Sequence, residues 1–569
     1  MVGLPSLYGE TDHMITRRKF FTSSALAASS LAGFPHLAKS TEALQTAPGQ
    51  KPGRIILLVA DGMSLGALTC ADYLSRHMRQ RSLTWINLLQ KPQTRCGLMS
   101  MRSINSMVTD SSAASSSWGS GSRVKNGVVN QLPSGKKLTT LYELFAQQGW
   151  KRGLVTTTEI THATPAGFAA CVDSRDTGTL IAEQYLERKV DVLLGGGQKF
   201  FDPKRRKDQR DLQAEFAGAD YQVVQTAAEL TDASVNRRWL GIFSASHLPF
   251  TIDQLASEEL QARVPTLAAM TRRALEWLGR HEHFILQVEG GRVDHGAHNC
   301  DAPAALRDMI AFDEALDVVL AFQQQHPDTL VVVTTDHGNG NMGVNGSGAA
   351  YGQSSQMFKK VADVKASLAE VMRQLRKKPP EGSVIEEEKK NDKAPPSASD
   401  TKGEAKPAKQ KARATAKKTA TNANTNATMA VKPRVKDYVP TIKEIQQIVG
   451  ATTGYKVSGR RAGWFRAYLE KKGTCVYEPM NSDVVQLGQL LGNHIAVGWT
   501  GNMHTSDYVP VTAIGPGAER FEGFIQNVDV FRHCTQLAGI DFKNPEEPLL
   551  AAIGPEAADV ENLAEYAMV

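Results

Sequence analysis

No stretch of this 569-residue chain is apolar over the roughly 18 residues that a membrane-spanning helix needs. Cysteine is sparse: six residues, at 70, 96, 171, 300, 475 and 534, none in CxxC spacing. That excludes a zinc ribbon or a dithiol redox motif and leaves any disulfide pairing open. Charge of one sign does not dominate either, with 65 Lys and Arg against 59 Asp and Glu, a net of +6. What is present is a globular composition, 41% hydrophobic and 22% charged, long enough for two to four domains or one large domain with insertions.

The small positive excess is unevenly placed. Residues 376–436 hold 16 basic and 7 acidic side chains and no Phe, Trp or Tyr, a net of +9. A segment so charged and so poor in apolar anchors cannot offset its ordering entropy, and it reads as a disordered basic insertion. Residues 1–50 add +1, which leaves −4 for the rest. In residues 1–48, Arg17-Arg18-Lys19-Phe20-Phe21 precedes a short Ala- and Ser-rich run to Phe34. This predicts a leader with a twin-arginine signal, hence export of a folded, metal-loaded protein through the twin-arginine machinery to the periplasm or medium. Met14 offers a second candidate start, and no clean Ala-x-Ala site fixes the cleavage point.

Between leader and insertion, and again after it, short apolar runs end in polar, chemically loaded residues. Arg54–Ala60 ends at Asp61, Gly153–Thr158 before Glu159, and Phe284–Val288 at Glu289. Leu330–Thr335 ends at Asp336-His337, and His494–Trp499 leads to Gly501 and His504. Helical patterns such as Leu141–Gln148, Thr266–Leu278 and Ala304–Gln324 lie between them. This alternation predicts an α/β fold: a three-layer αβα arrangement on a mostly parallel sheet, with ligands bound beyond the carboxyl ends of the strands. The expected division is a catalytic domain in two parts, 49–375 and 481–569, around the 376–436 insertion and an accessory helical insertion at 437–480. Within the latter, Thr441–Gly450 and Arg460–Lys472 read as helices, and Trp464 and Phe465 as packing or access residues.

Three features at the strand ends carry chemistry. Asp61, Glu289, Asp294, His298, Asp336, His337 and His504 form a carboxylate and imidazole set suited to zinc, with carboxylate and hydroxyl suited to magnesium. Asp294 and His298 are spaced i, i+4, so one helical turn aims both the same way and sends His295 elsewhere. Val108-Thr109-Asp110-Ser111 opens an Ala- and Ser-rich helix, placing a hydroxyl at the positive end of a helix dipole. Arg175, after Thr161-His162-Ala163-Thr164-Pro165, offers a fork matched to phosphate oxygens. Taken alone, each has an ordinary explanation: a loop Asp-His pair, an Asp N-cap, a surface ion pair. Gly338-Asn-Gly-Asn-Met-Gly343 matches GxGxxG, but its continuation from Val344 to Ala350 does not look helical, so a dinucleotide site is rejected.

In their order along the chain these segments resemble the alkaline phosphatase family. The matching stretches are Val59-Ala-Asp-Gly-Met63, Val108-Thr-Asp-Ser111, Thr161-His-Ala-Thr-Pro165, Glu289-Gly-Gly-Arg-Val-Asp-His-Gly-Ala-His298, Thr334-Thr-Asp-His-Gly338 and Gly501-Asn-Met-His-Thr505. The resemblance implies hydrolysis of phosphate monoesters through a phosphoserine on Ser111, with Arg175 gripping the phosphate. It implies one zinc on Asp294, His298 and His504, and a second on Asp61, Asp336 and His337. A third ion, magnesium, falls to Asp61, Thr164 and Glu289. Two cations side by side can clamp the attacking and leaving oxygens of an in-line displacement. Ser112 stands where the family commonly has Ala. The family varies at the positions of His162 and His295, and this chain resembles its His/His type, with each imidazole a metal ligand or a hydrogen-bond partner. Family members often form homodimers, which the resemblance extends to this chain. The rival readings are a phosphodiesterase or sulfatase on the same fold, and an envelope or nucleic-acid binding protein using the basic insertion. The absence of aromatics in the insertion argues against base stacking.

Overall fold

The computed structural model describes residues 51–346, 348–377, 438–471 and 475–550. The twin-arginine leader, and the basic insertion apart from its first two residues, lie outside the described residues. Ten strands form one sheet. In chain order they are β1 (Arg54–Val59), β2 (Arg95–Ser100), β3 (Lys151–Glu159), β4 (Val192–Gly196) and β5 (Tyr221–Val224). The second five are β6 (Arg238–Ile242), β7 (Phe284–Glu289), β8 (Thr329–Thr334), β9 (Val509–Ile514) and β10 (Gly523–Gln526). Their spatial order is β10-β2-β9-β8-β1-β7-β3-β4-β6-β5. Only β9 runs antiparallel to its neighbours, β2 and β8.

The apolar runs are continuous because both faces of the sheet are covered. Ile56, Leu58, Leu286, Val331 and Val333 enter one hydrophobic cluster, while Ile55, Leu57, Ile285, Leu330 and Val332 enter another. Adjacent residues of one strand thus feed opposite layers, as the two-residue period of a strand requires. The register also sets the chemistry. Val59 pairs with both Glu289 and Thr334, so β1, β7 and β8 end at one level, and β3, whose Thr156 pairs with Glu289, runs three residues further to Glu159.

One expected strand is corrected. The helix Asp483–Ile495 runs through His494, and only Val497–Gly498 is extended. A short apolar run does not distinguish a helix end from a buried strand, and here Leu487, Leu491 and Ile495 repeat at helical spacing. The Gly338–Gly343 stretch opens no helix. It forms the two-residue strands Gly338–Asn339 and Gly343–Val344, which pair with His504–Thr505 and Val497–Gly498. The accessory helices Ile442–Thr453 and Gly459–Leu469 send Ile445, Val449 and Phe465 into the same hydrophobic cluster as β1, β7 and β8. Phe465 is therefore a packing residue, while Trp464 is exposed beneath the guanidinium of Arg460. No described helix is long and apolar enough to cross a membrane, and all six cysteines are free thiols.

Candidate active site

The helix Ser111–Ser120 starts with Asp110 as its N-cap. Asp110 Oδ1 accepts from Ala113 N (2.9 Å), and Oδ2 accepts from Ser112 Oγ (2.6 Å), Gly127 N (2.8 Å) and Arg175 Nη1 (3.0 Å). The two adjacent hydroxyls differ in what they engage. Ser112 is tied back to its own cap, whereas Ser111 Oγ lies 3.1 Å from His337 Nε2. Arg175 is more than a surface ion pair: its Nη2 also reaches His162 Nε2 at 3.2 Å.

Asp294 and His298 share the helix Arg292–His298. The pairing of His504 with Asn339 brings His504 to them, 206 residues along the sequence from His298. His298 Nε2 stands 3.3 Å from Asp294 Oδ2, and His504 Nε2 3.8 Å from Asp294 Oδ1. The two Nε2 atoms are 3.1 Å apart. His298 Nδ1 donates to Asn502 O (2.7 Å) and His504 Nδ1 donates to Thr109 O (3.0 Å). Because a carbonyl only accepts, both neutral rings carry their proton on Nδ1. Two Nε2 lone pairs and a carboxylate then face one another, an arrangement that a cation satisfies. Backbone carbonyls orienting metal-bound histidines are a recurrent device.

Asp61, Asp336 and His337 are fully buried. His337 Nε2 is 3.2 Å from Asp336 Oδ2 and 3.6 Å from Asp61 Oδ1. Asp336 Oδ1 accepts from Gly62 N (3.0 Å), but its Oδ2 and both Asp61 oxygens lack a hydrogen-bond partner among the described residues. Burial, reinforced by the carboxylates of Asp336, Asp294 and Glu289, pushes the Asp61 carboxyl well above its usual range. Burial likewise raises Asp336 to about 7. Orphaned buried carboxylate oxygens are costly unless a cation neutralises them.

A third grouping contains Asp61, His162 and Glu289. Glu289 Oε2 accepts from Thr156 Oγ1 (2.5 Å) and Thr158 Oγ1 (3.2 Å), while Oε1 has no hydrogen-bond partner among the described residues and lies 3.8 Å from His162 Nδ1. The Thr164 hydroxyl is buried, also without a partner there, on the helix Ala163–Ala169. The sequence-predicted residues thus assemble at the ends of β1, β3, β7 and β8 together with the two helix starts. Sequence reasoning offered Asp110 as an N-cap, which it is, but did not find its bond to Arg175, or the bond from Asn339 Nδ2 to Asp294 Oδ1 (2.7 Å). It also missed His247, whose ring centroid lies 4.4 Å from that of His295. The Asp110–Arg175 bond spans 65 residues and leaves no local signal. His247 sits in a loop with no motif around it.

The alkaline phosphatase family model matches residues 53–540. Alkaline phosphatase 4 of Bacillus subtilis (strain 168) is 28% identical over 431 residues, covering 74% of this chain and 75% of that protein. The streptomycin-6-phosphate phosphatase of Streptomyces griseus is 33% identical over 351 residues, covering 54% and 77%. The crystal structure of Thermus thermophilus alkaline phosphatase superposes with a TM-score of 0.71 at 30% identity, covering 91% of this chain and 98% of that one. With the family model spanning nearly all the described residues and the strand ends carrying candidate metal-binding groups, this chain belongs to the alkaline phosphatase family and is a phosphatase.

Proposed function

We propose that the chain hydrolyses phosphate monoesters through a phosphoserine on Ser111. The observation that carries this reading is the pair of facing Nε2 lone pairs beside Asp294, one strand end away from a helix-capped serine. Asp294, His298 and His504 would hold one zinc, and Asp61, Asp336 and His337 a second. Bound there, zinc would lower the pKa of the serine hydroxyl and stabilise the departing ester oxygen. Ser111 Oγ bonds to phosphorus as the ester P–O bond breaks and the alcohol leaves. Water then displaces the serine from phosphorus, releasing phosphate and restoring the hydroxyl.

Asp110 has two tasks in this scheme. It caps the helix that presents Ser111, and it holds Arg175 Nη1 so that the guanidinium is preorganised for the non-reacting phosphate oxygens. A monoester dianion uses that fork better than a diester, which favours the monoester over the rival hydrolases. The third position is best read as magnesium. Arg175 can only donate, so His162 Nε2 accepts and its proton stays on Nδ1. Asp61, Glu289 and Thr164 then offer oxygen donors alone, the set a hard cation takes. Export is proposed from the twin-arginine motif at Arg17-Arg18, and a homodimer from the family resemblance.

The test compares monoester, diester and sulfate ester hydrolysis before and after chelation. Zinc, and not magnesium, should restore activity and the thermal midpoint together. An acid quench during turnover should leave phosphate on the Ser111 peptide by mass spectrometry. Faster diester turnover, or chelator-resistant activity, would refute the reading.

A further inference from the structure

One imidazole beside the site is placed with care and has no task in the hydrolysis of the ester. His247 lies in the loop after β6, and that loop is pinned to the strand ends. Leu248 N donates to Thr157 O (3.0 Å), Gly197 N to Ser246 O (2.8 Å) and Ser246 Oγ to Glu159 Oε1 (2.6 Å). Within it, His247 Nδ1 accepts from the backbone N–H of Glu159 at 3.2 Å. A backbone N–H can only donate, so the neutral ring must carry its proton on Nε2. No group among the described residues forms a hydrogen bond with that Nε2.

The neighbouring rings obey the same logic. His247 packs edge-on against His295 (4.4 Å between centroids, 63°) and His162 (5.6 Å, 82°). His295 Nδ1 lies 2.7 Å from Arg292 Nη1, and arginine never accepts, so His295 too carries its proton on Nε2. His162 Nε2 accepts from Arg175 Nη2. A protonated ring nitrogen is no metal ligand, so His247 and His295 add nothing to a cation site in these tautomers. The free N–H of His247, set beside the His162 ring on which Arg175 rests, suits an oxyanion instead.

We propose that His247 is a further phosphate-binding residue. It supplies an N–H donor, directly or through one bridging water, to the phosphate oxygens that Arg175 grips. Its ring also sets His162, the imidazole against which Arg175 rests. The inference depends on Arg175 being the phosphate-binding residue.

The test uses the full-length, metal-loaded protein with inorganic phosphate as probe. Binding is measured by calorimetry and by competitive inhibition of monoester hydrolysis. In His247→Asn the amide oxygen replaces Nδ1 as acceptor for Glu159, keeping the loop pinned while removing the Nε2–H. Phosphate affinity should fall about tenfold or more, the loss of one hydrogen bond to an anion, and KM should rise in step. Zinc content and thermal midpoint should stay at wild-type values. His247→Gln, which returns an N–H near the Nε2 position, should recover part of the loss. Wild-type phosphate affinity in His247→Asn, or a loss that only tracks lost zinc, overturns the proposal. Arg175→Ala separates the two readings. If it weakens phosphate binding and His247→Asn does not, only the role of His247 falls; if it too is silent, the proposed phosphate site falls.

Discussion

Adjacent serines with the same burial differ here in one bond. Ser112 spends its hydroxyl on Asp110, and Ser111 turns its own toward His337. Ser111→Ala should therefore lower kcat/KM by about a thousandfold or more, the usual loss of a covalent nucleophile. Ser112→Ala, losing one hydrogen bond to a carboxylate that keeps three others, should change it less than about tenfold. Steady-state kinetics on a chromogenic monoester decide this, and similar losses in both variants would remove the distinction. The sequence could name the pair but not separate them, because their order along the chain says nothing about which hydroxyl is already engaged.

At the scale of elements, the site depends on how closely two helices approach. Gly119 on Ser111–Ser120 faces Gly167 on Ala163–Ala169, and a Cβ at Gly167 would sit 1.7 Å from Ser115 Oγ. Ser115 Oγ donates to Thr164 O at 2.7 Å, so the same contact that joins the helices places Thr164 near the metal groups. Gly167→Ala should cost about 3 kcal/mol of stability through overpacking, and should weaken magnesium binding measured by calorimetry. Gly218→Ala, with no atom within 4 Å of its added carbon, should leave both unchanged. Equal thermal midpoints for the two variants would show that the helix contact can relax. The helix starting at Ser111 was legible from its Asp-Ser cap, and the Asp294–His298 pair from its i, i+4 spacing. The close glycine contact was not, since its partner lies 48 residues away.

The whole molecule holds more buried acid than its metal groups use. Asp308, on the long helix Ala302–Gln325, accepts from Thr251 N and Oγ1. Burial pushes its carboxyl up to about 7, against about 3.9 in an unfolded chain. Between those values the folded protein keeps a proton that the unfolded chain has released. Its contribution to stability is therefore greatest at low pH, falls as pH rises through about 4 to 7, and is flat above. Asp308→Asn has no such proton, so the midpoint of wild type relative to the variant should drop as pH rises from about 4 to about 7. Thermal unfolding of metal-loaded protein checks this, and parallel pH profiles would contradict it.

The sequence by itself determined the alternating α/β architecture, because buried parallel strands demand continuous apolar runs. It also pointed to the kinds of metal-ligating side chain on offer, because carboxylates and imidazoles recurring together at strand ends outweigh the ordinary explanation each has alone. It located the +6 in segments outside the mildly acidic body. Only the tertiary structure decided which of these groups meet. The shared register of β1, β7 and β8 levels Asp61 with Asp336 and sets Glu289 beside Val59, two residues before Asp61, and a two-residue pairing with Asn339 delivers His504. Tautomers, too, were decided there. A histidine's free nitrogen is set by the partner that takes the other one, and those partners, the carbonyls of Thr109 and Asn502, the amide of Glu159 and the guanidinium of Arg175, all come from elsewhere in the chain.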